Sequence, residues 1–346
     1  MLTRFLFLSA VILLVNSAAR LCAQAQVDLS KVLLPPGLVA PDAKPTVAAG
    51  VTFLEGPAVD DQGNVFFSDI AGNRILKRTP EGSLSVFRSD SGRTNGNVFD
   101  ALGRLISCEG GENGTGGRRR MVRTDMKSGA VTVLTEKYEG KRYNSPNDVC
   151  VDNQGRIWFT DPRYSADRSD LEMAVEAVYR IDPDAKVTRV VSQPAVEKPN
   201  GIAITPDAKT LYVIDSHPRP GGNRKIWAFD VSADGLPLHQ RLVYDFGKGR
   251  GGDGMRLDMK GNLWVAAGIQ TQRGPGESTE VPPGVYVISP QGKLLGRIPI
   301  PEDLITNLAF GGPDHKTLYI TAGKTLYTVA VSVPGYALYP PLREKQ

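Results

Sequence analysis

Six polar residues each head a copy of the same short phrase, and their side chains are of the kind that hold hard cations. Glu55, Asn95, Asn147, Asn200, Asp253 and Asn307 precede GPAVDDQGNVFFSD, GNVFDALGRLISCE, DVCVDNQGRIWFTD, GIAITPDAKTLYVID, GMRLDMKGNLWVAA and LAFGGPDHKTLYITA. Two carboxylates and four amide oxygens make a donor set suited to Ca²⁺ or Mg²⁺ and able to accept Mn²⁺ or Zn²⁺. A ring of asparagines that bonds only turn backbones is the other reading of the same pattern.

For these residues to meet, the units that carry them must be arranged around one point. The anchors are separated by 40, 52, 53, 53 and 54 residues, and a strand-rich repeat of about fifty residues points to a propeller or an array. In the third copy, Val149 and Val151 alternate towards Asp152-Asn-Gln-Gly155, and Ile157 and Phe159 continue beyond it. That is a tight hairpin, because Asp and Gly supply side-chain turn bonds and a positive φ. The Asp-x-x-Gly turn recurs at Asp60, Asp100 and Asp258, and Pro206-Asp207 and Pro313-Asp314 replace it elsewhere. Phe66, Ile106, Trp158, Tyr212, Trp264 and Tyr319 share one offset, as expected for residues that pack neighbouring sheets together.

Two further strand-like runs follow each hairpin, such as Ile75–Arg78 with Leu84–Phe87, so each unit has the content of a propeller blade. The sequence predicts an all-β fold, a six-bladed β-propeller of four-stranded blades spanning residues 46–346. The last blade lacks one strand after Thr325–Val333, and Thr46–Phe53 is expected to supply it, which removes an open sheet edge. In a propeller the first strand of each blade lines the channel, so the six anchors are expected at one mouth.

The N-terminus has another purpose. Met1–Arg4 is basic, Phe5–Ala19 is almost uninterruptedly apolar, and Ala23-Gln-Ala25 is an A-x-A cleavage site. This is the layout of an export signal, residues 1–25, followed by an irregular proline-rich lead-in over 26–45. The protein is therefore expected to be periplasmic or secreted. Cleavage removes Arg4 and Arg20 and no acid, leaving 39 basic against 37 acidic residues. Such a balance gives no electrostatic case for nucleic-acid or membrane partners. Cys108 and Cys150 remain, read as free thiols with a disulfide as the alternative, and no CxxC motif supports a thiolate zinc site.

The phrases EGP at 55–57, NSPND at 144–148, KPNG at 198–201, GGDGM at 251–255 and FGGPD at 310–314 resemble the gluconolactonase/regucalcin (senescence marker protein) family. Its relatives include diisopropylfluorophosphatase and, more distantly, the paraoxonases. The resemblance runs from Val47 to Val333 and implies a six-bladed propeller with one divalent cation in the channel, calcium first among Ca²⁺, Zn²⁺, Mg²⁺ and Mn²⁺. It implies Glu55, Asn200 and Asp253 as metal ligands, and Asn147 as a ligand or a substrate contact beside the metal. Asp253 also matches the family's candidate general base or nucleophile. The implied activity is opening of a small sugar lactone. The metal polarises the carbonyl, and either Asp253 or a metal-bound water drives the attack. Hydrolysis of aryl esters or organophosphates at the same site is one alternative, and a non-catalytic propeller that binds sugar or protein is another.

Several nearby groups have two readings. Asn95 and Asn307 line the channel, support the ligands from behind, or serve structure alone. Asp69, Glu109, Asp161 and Asp215 end the second hairpin strand, where acids either back the ligands or satisfy loop backbone. Arg142, Tyr143 and Asn144, just before an anchor, are candidate sugar contacts. His217 lies near the expected mouth and is a candidate proton shuttle. No G-x-S-x-G is present, which argues against a serine hydrolase of the α/β type.

Overall fold

The computed structural model describes residues 37, 40, 43–50, 52–111 and 115–342. The expected export signal and most of the lead-in lie outside the described residues. Among the described residues every regular element is a strand, and six antiparallel sheets of four strands succeed one another along the chain. They form a six-bladed β-propeller. Blade 1 runs Leu54–Val59, Val65–Asp69, Arg74–Arg78 and Leu84–Ser89. The first strands of blades 2–6 are Thr94–Phe99, Val149–Val151, Pro199–Ile204, Gly252–Leu257 and Ile305–Gly311. Each packs against the first strands of both neighbours, which closes the ring around the channel.

Blade 6 is completed from the other end of the chain. Thr46–Gly50 pairs antiparallel with Thr325–Ala330, with Thr46 opposite Thr328 and their hydroxyls 2.9 Å apart. The strand is shorter than Thr46–Phe53, because the chain bends at Thr52 and Phe53 on its way in to Glu55.

The hairpins form as their sequences dictate. The Asp152 carboxylate accepts the N–H groups of Gln154 (2.9 Å) and Arg156 (3.0 Å), and Gly155 takes a φ of +77° to close the turn. Its other oxygen accepts the Trp158 indole N–H at 3.0 Å, tying the turn to the sheet interface. Asp258 does the same for Trp264.

The large residue at the shared offset joins each blade to the next. Phe66 packs on Phe99 and Leu105, Ile106 on Val149 and Val151, and Trp158 on Ile202 and Ile204. Tyr212 meets Met255 and Leu257, Trp264 meets Leu308 and Phe310, and Tyr319 meets Leu54 and Val59 across the closure. Burying a side chain of this size contributes roughly 1.5–3 kcal/mol, so the six together are a main source of ring stability. Cys108 and Cys150 are both free thiols.

The C-terminal segment crosses the far end of the channel. Tyr336 donates its N–H to the Leu257 carbonyl at 2.8 Å, and Tyr339 packs its ring on Phe99. Arg256, which lines this apolar end, forms an ion pair with Asp148, 3.4 Å long. Beyond that pair lies the opposite mouth.

Candidate metal centre at the channel mouth

Five of the six first strands are irregular where the anchor stands, and in blade 3 Asn147 stands just ahead of the regular strand Val149–Val151. The pairing register slips between Glu55 and Ala58, Thr94 and Asn97, Pro199 and Ile202, Gly252 and Met255, and Ile305 and Asn307. A bulge of this kind re-aims a side chain. Here it frees the anchor from the ladder. Four anchors are followed by glycine, and the reason is steric: Gly56 and Gly201 abut the backbone of the next blade's anchor, and Gly254 abuts the Asn307 side chain.

The consequence is one cavity of about 440 Å³ at the mouth. Glu55, Asn95, Asn147, Asn200 and Asp253, from five different blades, all line it, with Arg163, Tyr164 and Arg250 among the remaining wall residues. Asn307 stands behind this wall. Its Oδ1 accepts the Leu308 N–H at 2.9 Å, and its side chain also hydrogen-bonds Glu55.

The electrostatics of the cavity are those of crowded acids. Burial, then the charges of Asp253 and Asp148, push the Glu55 carboxyl well above its ordinary range. Burial also raises Asp253, against the opposing effect of Arg250, whose Nη2 donates to its carboxylate. Asp148 follows Asn147 where four of the other blades carry glycine. Its Oδ2 accepts from the Ile202 N–H and from Arg256 Nη1, each at 3.4 Å, while its buried Oδ1 has no hydrogen-bond partner. The buried Oδ1 of Asn95 has none either.

This set fits a hard divalent cation. Buried carboxylates that repel one another and unpartnered oxygens are both stabilised by a positive charge among them. Among the described residues no group of three or more His, Cys, Asp and Glu side chains is placed to hold a metal. The candidate donors are therefore two carboxylates with amide oxygens: Glu55 and Asp253 with Asn147 and Asn200.

The acids at the ends of the second strands hold the loops that lead into the anchors. Asp161 accepts the N–H groups of Asn144 (2.8 Å) and Ser145 (2.7 Å), ahead of Asn147. Asp215 accepts those of Glu197 and Lys198 ahead of Asn200. Burial pushes Asp161 up to about 7 in spite of its two N–H partners. Glu109 instead gathers Arg88, Arg118 and Arg120.

The other candidates are distributed differently. Arg142 faces a separate groove with Gly117 and Lys137, donating to the Gly117 carbonyl, and does not line the central cavity. Asn144 is buried below the wall, where its Nδ2 donates to the carbonyls of Asp161 and Val175. Tyr143 is a core residue packed edge-to-face against Phe159 and Tyr179. His217 sits at the rim between two cavity residues, Ser216 and Pro218, and accepts the Arg219 N–H at 3.3 Å. Burial and the charges of Lys198 and Arg219 lower its pKa.

Arg163, Tyr164 and Arg250 line the cavity without having been singled out in the sequence. Arg163 and Tyr164 belong to the loop 162–176, which blade 3 inserts between its second and third strands, so no repeat comparison reaches them. Arg250 and Asp148 had a legible signal. Arg250 precedes the Gly-Gly-Asp anchor, and Asp148 breaks the pattern of anchor followed by glycine.

Comparison with known proteins agrees with this fold. A gluconolactonase of Zymomonas mobilis is 31% identical over 315 residues, covering 84% of this chain and 81% of the relative. A regucalcin of Xenopus laevis is 27% identical, covering 78% and 82%. The solved structure of a gluconolactonase from Xanthomonas campestris superposes with a TM-score of 0.71 at 32% identity, covering 86% and 95%. The SMP-30/Gluconolactonase/LRE-like region matches residues 53–324, from the approach to Glu55 into the last blade, and the chain belongs to that family.

Proposed function

We propose that the protein is a divalent-metal-dependent hydrolase that opens sugar lactones at the channel mouth. The observation that carries this reading is the convergence of Glu55 and Asp253, both buried and both raised in pKa, with Asn147 and Asn200 in one open cavity. The relatives named gluconolactonase support the substrate class. Glu55, Asn147, Asn200 and Asp253 would hold the cation, with Ca²⁺ the best match to an all-oxygen set. When bound, the cation supplies Lewis acidity that polarises the lactone carbonyl.

The remaining chemistry falls to the chain. Asp253, oriented by Arg250, takes a proton from the attacking water as its oxygen adds to the carbonyl carbon. When the ring C–O bond breaks, the same proton passes to the ring oxygen, which leaves as the hydroxyl of the product acid. The amides at the mouth orient the sugar hydroxyls, and the cavity wall limits access of bulk water to the reacting carbon. On the strength of Met1–Ala25 alone we further infer that the enzyme acts after export; a mature N-terminus at Met1 in protein from the native host would overturn that.

The test is hydrolysis of glucono-δ-lactone, followed by proton release, on chelator-stripped protein with and without added Ca²⁺, Mg²⁺, Mn²⁺ or Zn²⁺. Turnover restored by metal above the spontaneous rate is expected. Folded protein that stays inactive with every metal overturns the reading and favours a binding propeller or hydrolysis of another ester.

A further inference from the structure

We propose that Tyr164 is a positioning and specificity residue of this site, its hydroxyl setting the Asn200 amide and its ring forming the platform for the sugar ring. The inference rests on the lactonase reading of the same cavity and goes beyond it in naming what selects a carbohydrate.

Two contacts fix the hydroxyl. Tyr164 Oη donates to the Ser216 carbonyl at 3.1 Å and accepts from Asn200 Nδ2 at 3.0 Å. A phenol has one proton, so once Ser216 takes it the oxygen has only lone pairs to offer Asn200. The amide nitrogen of Asn200 must then face Tyr164. Its Oδ1 is left as the one side-chain atom able to ligate a cation. A side chain that sets a ligand's orientation in this way typically contributes ten- to hundredfold to metal affinity.

The ring has a second use. Tyr164 is 43% exposed although its hydroxyl is tied down, and it lines the cavity. Lys198 Nζ lies 5.0 Å from the ring centroid and is itself held by Glu176 at 2.7 Å and by the Arg163 carbonyl at 2.8 Å. The loop is pinned beneath it by Arg163 and Arg119 on Asp170, at 3.1 and 3.4 Å, and by Arg168 on Glu176 at 2.7 Å. A rigid, half-exposed aromatic in a wall that also carries Asn95, Asn147, Asn200, Arg163 and Arg250 suits a ligand with one apolar C–H face and polar edges. A pyranose or furanose lactone has that shape.

Tyr164→Phe and Tyr164→Leu separate the two roles. Calcium affinity is measured by calorimetry on chelator-stripped protein, and kcat and KM for glucono-δ-lactone at saturating Ca²⁺, with circular dichroism to confirm folding. Tyr164→Phe is expected to weaken Ca²⁺ binding about 10-fold while leaving KM within about twofold, since the ring remains. Tyr164→Leu is expected to weaken Ca²⁺ binding similarly and to raise KM about 10-fold as well, as loss of a stacked aromatic contact would. Wild-type Ca²⁺ affinity in Tyr164→Phe overturns the hydroxyl's role, and an equal KM in the two variants overturns the platform. Wild-type protein that neither binds Ca²⁺ nor opens the lactone overturns the lactonase reading and this inference together.

Discussion

Gly96 donates its backbone N–H to the Asn147 carbonyl across 2.7 Å, so the residue after one channel anchor is bonded to the anchor of the next blade. A Cβ on Gly96 would stand 2.6 Å from that oxygen and 2.8 Å from the Asp148 Cα. Both obstacles are backbone, which cannot rotate aside. Gly96→Ala is expected to cost on the order of 1–3 kcal/mol of stability and to disturb Asn147. Gly274→Ala, where nothing lies within 4 Å of the added carbon, should be close to neutral. Urea unfolding midpoints of the two variants check the contrast.

The same contact explains what the sequence discloses. Propeller geometry demands a small residue wherever inner strands crowd, and so Gly56, Gly96, Gly201 and Gly254 repeat with the anchors and make the blades countable. Of the five anchors that reach the cavity, four stand at the same bulge, and Asn147 stands just ahead of its strand. What was hidden is what one blade does alone. Tyr164 and Arg163 come from the loop 162–176 of blade 3, which the repeat does not prescribe and whose path depends on Asp170 and Glu176 finding their arginines in space. Arg142 is close to Asn147 in sequence, yet the short ribbon Lys137–Tyr138 with Lys141–Arg142 carries it to another groove.

Asp253→Asn keeps the shape of the side chain and removes its charge. Turnover is expected to fall by about 10²–10⁴, the usual contribution of a positioned base, with an unchanged circular dichroism spectrum. Wild-type turnover would remove Asp253 from the reaction. Glu55→Gln relieves one buried charge, so the metal-free protein should melt at a higher temperature while its Ca²⁺ affinity falls. Calorimetric titration and thermal melts on the same preparations test both effects.

Asp161 makes a pH prediction that does not involve the cation. Its pKa of about 7 lies above the ordinary value of 3.8, because burial outweighs the two N–H bonds it accepts. The folded protein therefore keeps a proton that the unfolded chain releases. The stability from this group is complete below about pH 4 and is lost as pH rises through about 7. Asp161→Asn should flatten that decline, read as the difference between wild-type and variant urea midpoints from pH 4.5 to 8. Parallel profiles would show that Asp161 does not titrate in this range.

Asp148 brings a third carboxylate to the axis, and its surroundings say what it is for. Its repulsion raises both Glu55 and Asp253, a cost to the metal-free fold that Arg256, 3.4 Å away, offsets only in part. A purely structural acid would have both oxygens satisfied, yet Oδ1 is buried with no hydrogen-bond partner. The arrangement is favourable once positive charge stands at the mouth, because the acid then attracts what the ligands hold. Asp148→Asn should accordingly raise the melting temperature of chelator-treated protein and weaken Ca²⁺ binding about 10-fold or more. A purely structural Asp148 would give the opposite melting shift, with Arg256 left buried beside a neutral partner. Thermal melts with chelator and with Ca²⁺ decide between them, since the two accounts predict opposite signs in the metal-free state.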